Sequence, residues 1–243
     1  MTWSIVARDA DGSFGVAIAS RFFAVGALCV HTRRAVGALA TQALMNPLYG
    51  PAGLELLGTG VAPGKVVARL TGADEGRAQR QLHLIGARGR GAAHTGAQCV
   101  EGCGHRVHDD FSIAGNMLVG AAVLDATAAA YAAGARLPLA ERLIAALEAG
   151  ERAGGDQRGK QAAALRIHGD EDYPRLDLRV DDHEAPLVEL RRLHEKSLER
   201  FQPFVACLPG RRDPVGLLRR DEIEARVEVF AAERSRARGP RLA

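Results

Sequence analysis

The sequence predicts an α+β protein built from antiparallel sheets covered by helices. Three observations carry this. The chain opens on two strand-like runs joined by a four-residue turn. Its helical stretches come in blocks, several led by proline, rather than alternating singly with strands. Strands and helices segregated in this way argue against a doubly wound parallel sheet.

In Thr2–Arg8, Trp3, Ile5 and Ala7 share one face. Thr2, Ser4 and Arg8 share the other, with Val6 among them, which is the period of a strand. Asp9-Ala10-Asp11-Gly12 turns the chain into Phe14–Ser20. Two small, apolar runs, Val25–His31 and Ala35–Thr41, read as further strands, and Asn46-Pro47 ends the block. Tyr49–Leu57 and Pro63–Leu70 read as helices. Leu82–Ile85 and Gly91–His94 form a hairpin around residues 87–90, followed by a polar loop holding Cys99, Cys103, His105 and His108. Phe111–Ala114 is a strand ending at Gly115-Asn116, after which an alanine-rich helical stretch runs from Leu118 to about Gly134. Pro138–Ala149 is a second helix whose apolar positions are Leu139, Leu143, Ile144 and Leu147. Gly154-Gly155-Asp156 turns into the strands Gln161–Ile167 and Leu176–Val180. Leu187, Leu190, Leu193, Leu198 and Phe201 mark an amphipathic helix, and a last helix is expected around Asp221–Arg234.

Composition narrows the function classes. The 243 residues are 47% hydrophobic and 25% charged, enough to bury a sizeable core. A net charge of +3 and 5% aromatic residues give neither a general attraction to nucleic acid nor a base-stacking surface. No segment approaches the roughly 20 apolar residues of a membrane span. The first residues lack the pattern of a signal peptide, so the expected compartment is the cytoplasm with four reduced cysteines. The arginines near the C-terminus read as a solvated helix face or a weak anion patch.

Five features carry chemistry. Thr2 becomes the first residue once Met1 is trimmed, and a threonine hydroxyl can use its own α-amine as base. The alternative is a plain β-branched strand residue. Gly115-Asn116, between a strand end and a helix start, offers backbone N–H groups and a side-chain amide for an oxyanion, or else an ordinary helix N-cap. The polar turn 154–159 around Asp156 can hold a carboxylate or position a substrate, or else is a plain loop. Cys99, Cys103, His105 and His108 are potential zinc ligands, but the two histidines are too closely spaced and the segment that usually separates the pairs is missing. Asp181-Asp182-His183 fits a helix cap better than acid–base machinery.

The stretches T-W-S-I-V-A-R-D (2–9), G-V-A-I-A-S-R (15–21), A-V-G-A-L-A-T-Q-A (35–43) and N-P-L-Y-G (46–50) closely resemble the DUF1028 family. So do A-A-H-T-G (92–96), G-N-M-L (115–118), A-G-G-D-Q-R-G-K-Q (153–161) and L-R-V-D-D-H (178–183), so the resemblance covers roughly residues 2–200. It implies a four-layer αββα sandwich similar to N-terminal-nucleophile (Ntn) hydrolases and to proteasome-type β subunits, which begin with threonine on the first strand. Such proteins often assemble, so a homo-oligomer is expected. The chain departs from the proteasome-type pattern: its second strand ends Ala19-Ser20-Arg21, and no lysine follows the third.

The reading that results is one Ntn-hydrolase-like domain over 1–205 with a C-terminal helical extension over 206–243. The expected activity is hydrolysis of a small amide or peptide, with Thr2 as nucleophile and Asn116 and Gly115 at the oxyanion. Arg21, Gln42, His94 and Asp156 are expected to orient substrate or amine, and no cofactor or metal is required. The alternatives are a binding module for an amino-acid-like or peptide ligand, and a metal-dependent hydrolase built on the Cys99–His108 loop.

Overall fold

The computed structural model describes residues 2–238. The chain divides after Arg191 into two compact units. In the first, the chain runs Thr2–Arg8 (β1), Phe14–Ser20 (β2), Val25–Cys29 (α1), Val30–Arg33 (β3) and Gly37–Ala43 (β4). Tyr49–Gly58 (α2), Pro63–Gly72 (α3) and a 3₁₀ turn at Glu75–Gln79 follow. Then come Arg80–Gly86 (β5), Ala92–Thr95 (β6), Gly104–Val107 (β7) and Phe111–Asn116 (β8). Ala122–Ala133 (α4), Leu139–Arg152 (α5), Ala162–His168 (β9) and Leu176–Val180 (β10) complete the order, and the division falls within Pro186–Ser197 (α6).

Two antiparallel sheets result, one ordered β10-β9-β2-β1-β8-β7 and one ordered β3-β4-β5-β6. They face each other through β1, β2 and β8 on one side and β4 and β5 on the other. Helices α4 and α5 cover the six-stranded sheet, and α2 and α3 cover the four-stranded one. This is the four-layer αββα sandwich that the family resemblance implies.

The period of two explains which side chains enter which layer. Trp3, Ile5 and Ala7 point toward the helices. Ser4 and Val6 point toward the opposite sheet, so both faces of β1 are buried. On β4, Ala38 and Ala40 enter the layer between the sheets, while Leu39 packs under α2 with Leu54 and Leu57. The layer between the sheets is apolar at one end, where Val6, Phe14, Val16, Ile18, Ala40 and Ile85 meet. At the other end it is polar: Ser4, Ser20, Gln42, Gln81, His83 and Ser112 are all fully buried there.

Four expectations are corrected. Val25–His31 is not one strand: α1 occupies Val25–Cys29, entered through a left-handed Ala24, and β3 starts at Val30. A short apolar run does not distinguish helix from strand by period. The polar loop after β6 contains β7, an edge strand whose residues are all half-buried and therefore show no alternation. Asn116 does not cap a helix, because α4 begins only at Ala122 with Ala121 at its cap. The amphipathic helix ends at Ser197 and does not reach Phe201.

In the second unit, Phe201–Val205 (α7) and Arg220–Arg238 (α8) are helical. Several arginines there are paired rather than free to hold an anion: Arg200 with Glu224 at 2.6 Å, Arg219 with Asp221, and Arg234 with Glu195. Among the described residues, no helix is long and apolar enough to cross a membrane.

Candidate functional site

Thr2 is 5% exposed and begins β1 between two strand ends. Its cross-strand partners are Ser20 on β2 and Asn116 on β8. The Thr2 and Ser20 hydroxyls are hydrogen-bonded at 2.9 Å.

Beyond Asn116 the chain does not enter a helix. Met117 is left-handed with φ 55°, an uncommon conformation for a residue with a Cβ. The turn is held by tertiary contacts: the Leu118 N–H donates to the Gly102 carbonyl at 2.9 Å, and the Val119 N–H to the Gly155 carbonyl at 3.2 Å. Gly115 admits the Leu118 side chain, which a Cβ would meet at 2.5 Å.

The loop 154–159 docks on this turn. Asp156 bridges Leu118, and the Gln157 side chain donates to the Leu118 carbonyl at 2.8 Å. Gly154 and Gly155, both with positive φ, let the loop double back beside Val119 and Trp3. Arg21 donates to the Arg158 carbonyl at 2.9 Å, tying the end of β2 to the same loop. Asp156 Oδ1 accepts from the Arg158 N–H at 2.7 Å, whereas its buried Oδ2 has no hydrogen-bond partner. Burial raises the Asp156 pKa above the usual carboxylate value, and the Arg158 N–H and the Arg158 charge draw it back in part.

Behind Asn116 lies a buried polar chain of which sequence reasoning singles out Gln42 alone. Asn116 Nδ2 donates to Gln81 Oε1 at 3.1 Å, and Gln42 Nε2 donates to the same oxygen at 2.7 Å. Gln81 Nε2 donates to the carbonyls of Gly115 and Gly104 and to the Thr95 hydroxyl, at 2.8–3.0 Å. Ser4 Oγ donates to Gln42 Oε1 at 2.5 Å, so it accepts from His83 Nε2 at 2.7 Å. His83 Nδ1 then accepts from Ser112 Oγ at 3.2 Å. The ring is neutral, its pKa pushed down to about 3 by burial and the nearby His105.

The structure therefore brings Thr2, Arg21, Gly115, Asn116 and Asp156 together at one end of the six-stranded sheet. Two other predicted residues lie elsewhere. Gln42 is fully buried with its amide committed to Ser4 and Gln81, so it supports the site from behind and does not face a substrate. His94, on β6, bonds through Nε2 to the Arg77 carbonyl at 2.8 Å, away from Thr2. The four potential zinc ligands do not converge on one point, although Cys103 Sγ donates to the Cys99 carbonyl at 3.9 Å. Cys99 Sγ donates to the Arg80 carbonyl, His105 bonds Thr95, and His108 stacks on Phe111 with ring centroids 4.1 Å apart. Among the described residues, no three His, Cys, Asp or Glu side chains gather as a metal site.

Ser20 was legible in principle. The turn after Arg8 sets the register Arg8↔Phe14, which places Ser20 opposite Thr2. Gln81 and His83 carried no such signal, because their partners are distant in sequence.

A cavity of about 280 Å³ opens beside Asn116, between the end of β4 and the Asn116–Met117 turn. Ala43, which also lines it, is left-handed as well, with φ 65°.

The comparisons with known proteins fit this architecture. The crystal structure of protein SPO2555 from Silicibacter pomeroyi is 31% identical, covers 90% of this chain and 96% of that one, and superposes with a TM-score of 0.83. Anbu (ancestral beta-subunit) from Yersinia bercovieri, 14% identical over 81% of this chain and 94% of that one, superposes with a TM-score of only 0.39, a likeness too loose to inform the site. No curated protein matches the chain. The family of unknown function DUF1028 matches residues 2–190, which span β1 to the middle of α6. The chain belongs to the DUF1028 family.

Proposed function

We propose that the protein hydrolyses a small amide or peptide, with Thr2 as an N-terminal nucleophile after removal of Met1. The observation that supports this best is the setting of Thr2. Its hydroxyl is held by Ser20, it stands opposite Asn116, and the loop bearing the unpartnered Asp156 oxygen docks on the adjoining turn.

In this reading Thr2 Oγ attacks the carbonyl carbon and its proton passes to the Thr2 α-amine. An α-amine titrates near about 7.7–8.0, so much of it is neutral at working pH. The C–N bond breaks, and the leaving nitrogen takes that proton. An acyl-threonine ester remains. Water adds to it, the ester bond breaks, and the Thr2 hydroxyl regains its proton as the acid leaves. Main-chain N–H groups of the Asn116–Met117 turn hold the oxyanion, and the Asn116 amide fixes that turn through Gln81. The Asp156 carboxylate orients the α-amine. The protein works in the cytoplasm as a homo-oligomer, and its unpaired cysteines fit a reducing compartment.

The test is the intact mass of untagged protein, followed by amide cleavage by wild type and Thr2→Ala. A mass lacking Met1, with turnover abolished by Thr2→Ala, supports the reading. Active protein that retains Met1 overturns it. A second reading, a binding module on the same fold, is favoured by one observation: the hydroxyl partner of Thr2 is another neutral hydroxyl, not a base. In that case Thr2→Ala keeps ligand binding and the wild type shows no turnover.

A further inference from the structure

We propose that the cavity beside Asn116 receives the side chain of the substrate's acyl residue and selects uncharged side chains of leucine or glutamine size. This rests on the hydrolase reading of Thr2. Asn116 links the two places, since it lines the cavity and is the direct cross-strand partner of Thr2.

The walls are apolar. Leu44 and Val100 are 59% and 57% exposed, and Met117 closes the side nearest Asn116. A leucine-sized side chain would cover surface that otherwise stays in water. Among the described residues, the lining holds no charged side chain. The nearby cation, Arg80, is committed to the scaffold: it donates to the Leu44 carbonyl at 2.5 Å and pairs with Asp74 at 3.1 Å. The Tyr49 hydroxyl in turn holds the Asp74 carboxyl well below its usual range. A lysine or aspartate side chain entering here would shed water and gain no countercharge.

A neutral polar tip fares better. Gln79 Nε2 donates to Gln98 Oε1 at 3.5 Å. This leaves the side-chain Oε1 of Gln79 and Nε2 of Gln98 on the rim, an acceptor and a donor of the kind a primary amide needs. The backbone points to the same place. Ala43 and Met117, which both line the cavity, are both held left-handed, a strain that clusters where ligands are gripped.

The test measures binding and cleavage separately on the full chain. N-acetyl-leucinamide, N-acetyl-glutaminamide, N-acetyl-lysinamide and N-acetyl-aspartamide are titrated into wild type and Val100→Glu. The two uncharged amides are expected to bind wild type at least about tenfold more tightly than the charged ones, and Val100→Glu to remove that advantage. Equal binding of all four, no binding of any at millimolar concentration, or an unchanged ranking in Val100→Glu overturns the proposal. Cleavage of the matching anilides is read in parallel. Selective binding without cleavage defeats the hydrolase reading alone, and cleavage without side-chain selectivity defeats the pocket assignment alone.

Discussion

Thr2 and Asn116 are direct cross-strand partners at the ends of β1 and β8, and the Asn116 side chain is anchored from behind by the buried amide of Gln81. Gln81 thus ties the turn after β8 to Gln42 on the opposite sheet.

Replacing Gln81 tests that anchor. Gln81→Leu leaves the Asn116 and Gln42 amide donors and the Gly115 carbonyl without their buried partner. At about 1–3 kcal/mol for each orphaned group, partly relieved by relaxation, the loss of stability is expected to be about 3 kcal/mol. Urea denaturation reads it. A cost below about 0.5 kcal/mol would mean that the chain of amides is dispensable.

Asp156 gives a prediction whose sign depends on the N-terminus. Its folded-state pKa is raised, so the folded state keeps a proton that the unfolded state has lost. Its contribution to stability therefore falls as pH rises above the ordinary carboxylate value. With a tag still preceding Thr2, Asp156→Asn is expected to raise Tm at pH 7 by about 2 °C. With a free Thr2 amine the carboxylate gains a partner, and the gain disappears. Thermal melts of both forms decide the matter.

His83 sets a stability loss in acid. Its folded pKa of about 3 lies below its unfolded value, so its contribution is complete above the unfolded value and is lost as pH falls toward 3. Between pH 6.5 and 5 this one group is expected to cost about 1.5–2 kcal/mol. His83→Gln should flatten that slope in urea melts at the two pH values. His31, His105 and His168, also shifted down by burial, leave a residual slope.

Two helical glycines should respond in opposite directions to alanine. In Gly150→Ala the new methyl meets Thr127 Oγ1 at 2.4 Å and Trp3 Nε1 at 2.9 Å. The overpacking is expected to cost about 1–3 kcal/mol, outweighing the gain of about 1 kcal/mol in helix propensity. At Gly64 in α3 nothing lies within 4 Å of the added methyl, so Gly64→Ala should stabilise by about 0.5 kcal/mol.

Periodicity and turn residues made much of the fold legible. β1, β2 and β10 have the predicted bounds, and α2 and α3 begin where predicted. The failures share a cause. Val25–Cys29 is helical because tertiary packing decides an ambiguous apolar run, and the Met117 turn is stabilised by carbonyls of Gly102 and Gly155, far away in sequence. In the site, Thr2, Asn116 and Asp156 stood out by residue type and place. Gln42 stood out too, but as a substrate-facing residue rather than a buried support, while Ser4, Gln81 and His83 did not, because each looks like an ordinary polar strand position until the two sheets are stacked.

The most direct test of Thr2 as nucleophile is covalent trapping. Untagged protein is treated with a β-lactone probe, whose ring opens when a hydroxyl oxygen attacks its carbonyl, and the labelled peptide is sequenced by mass spectrometry. One ester adduct on Thr2 of a chain lacking Met1, and no adduct in Thr2→Ala, is the expected result. Labelling that falls elsewhere and persists in Thr2→Ala, or a reactive chain that still carries Met1, would contradict it.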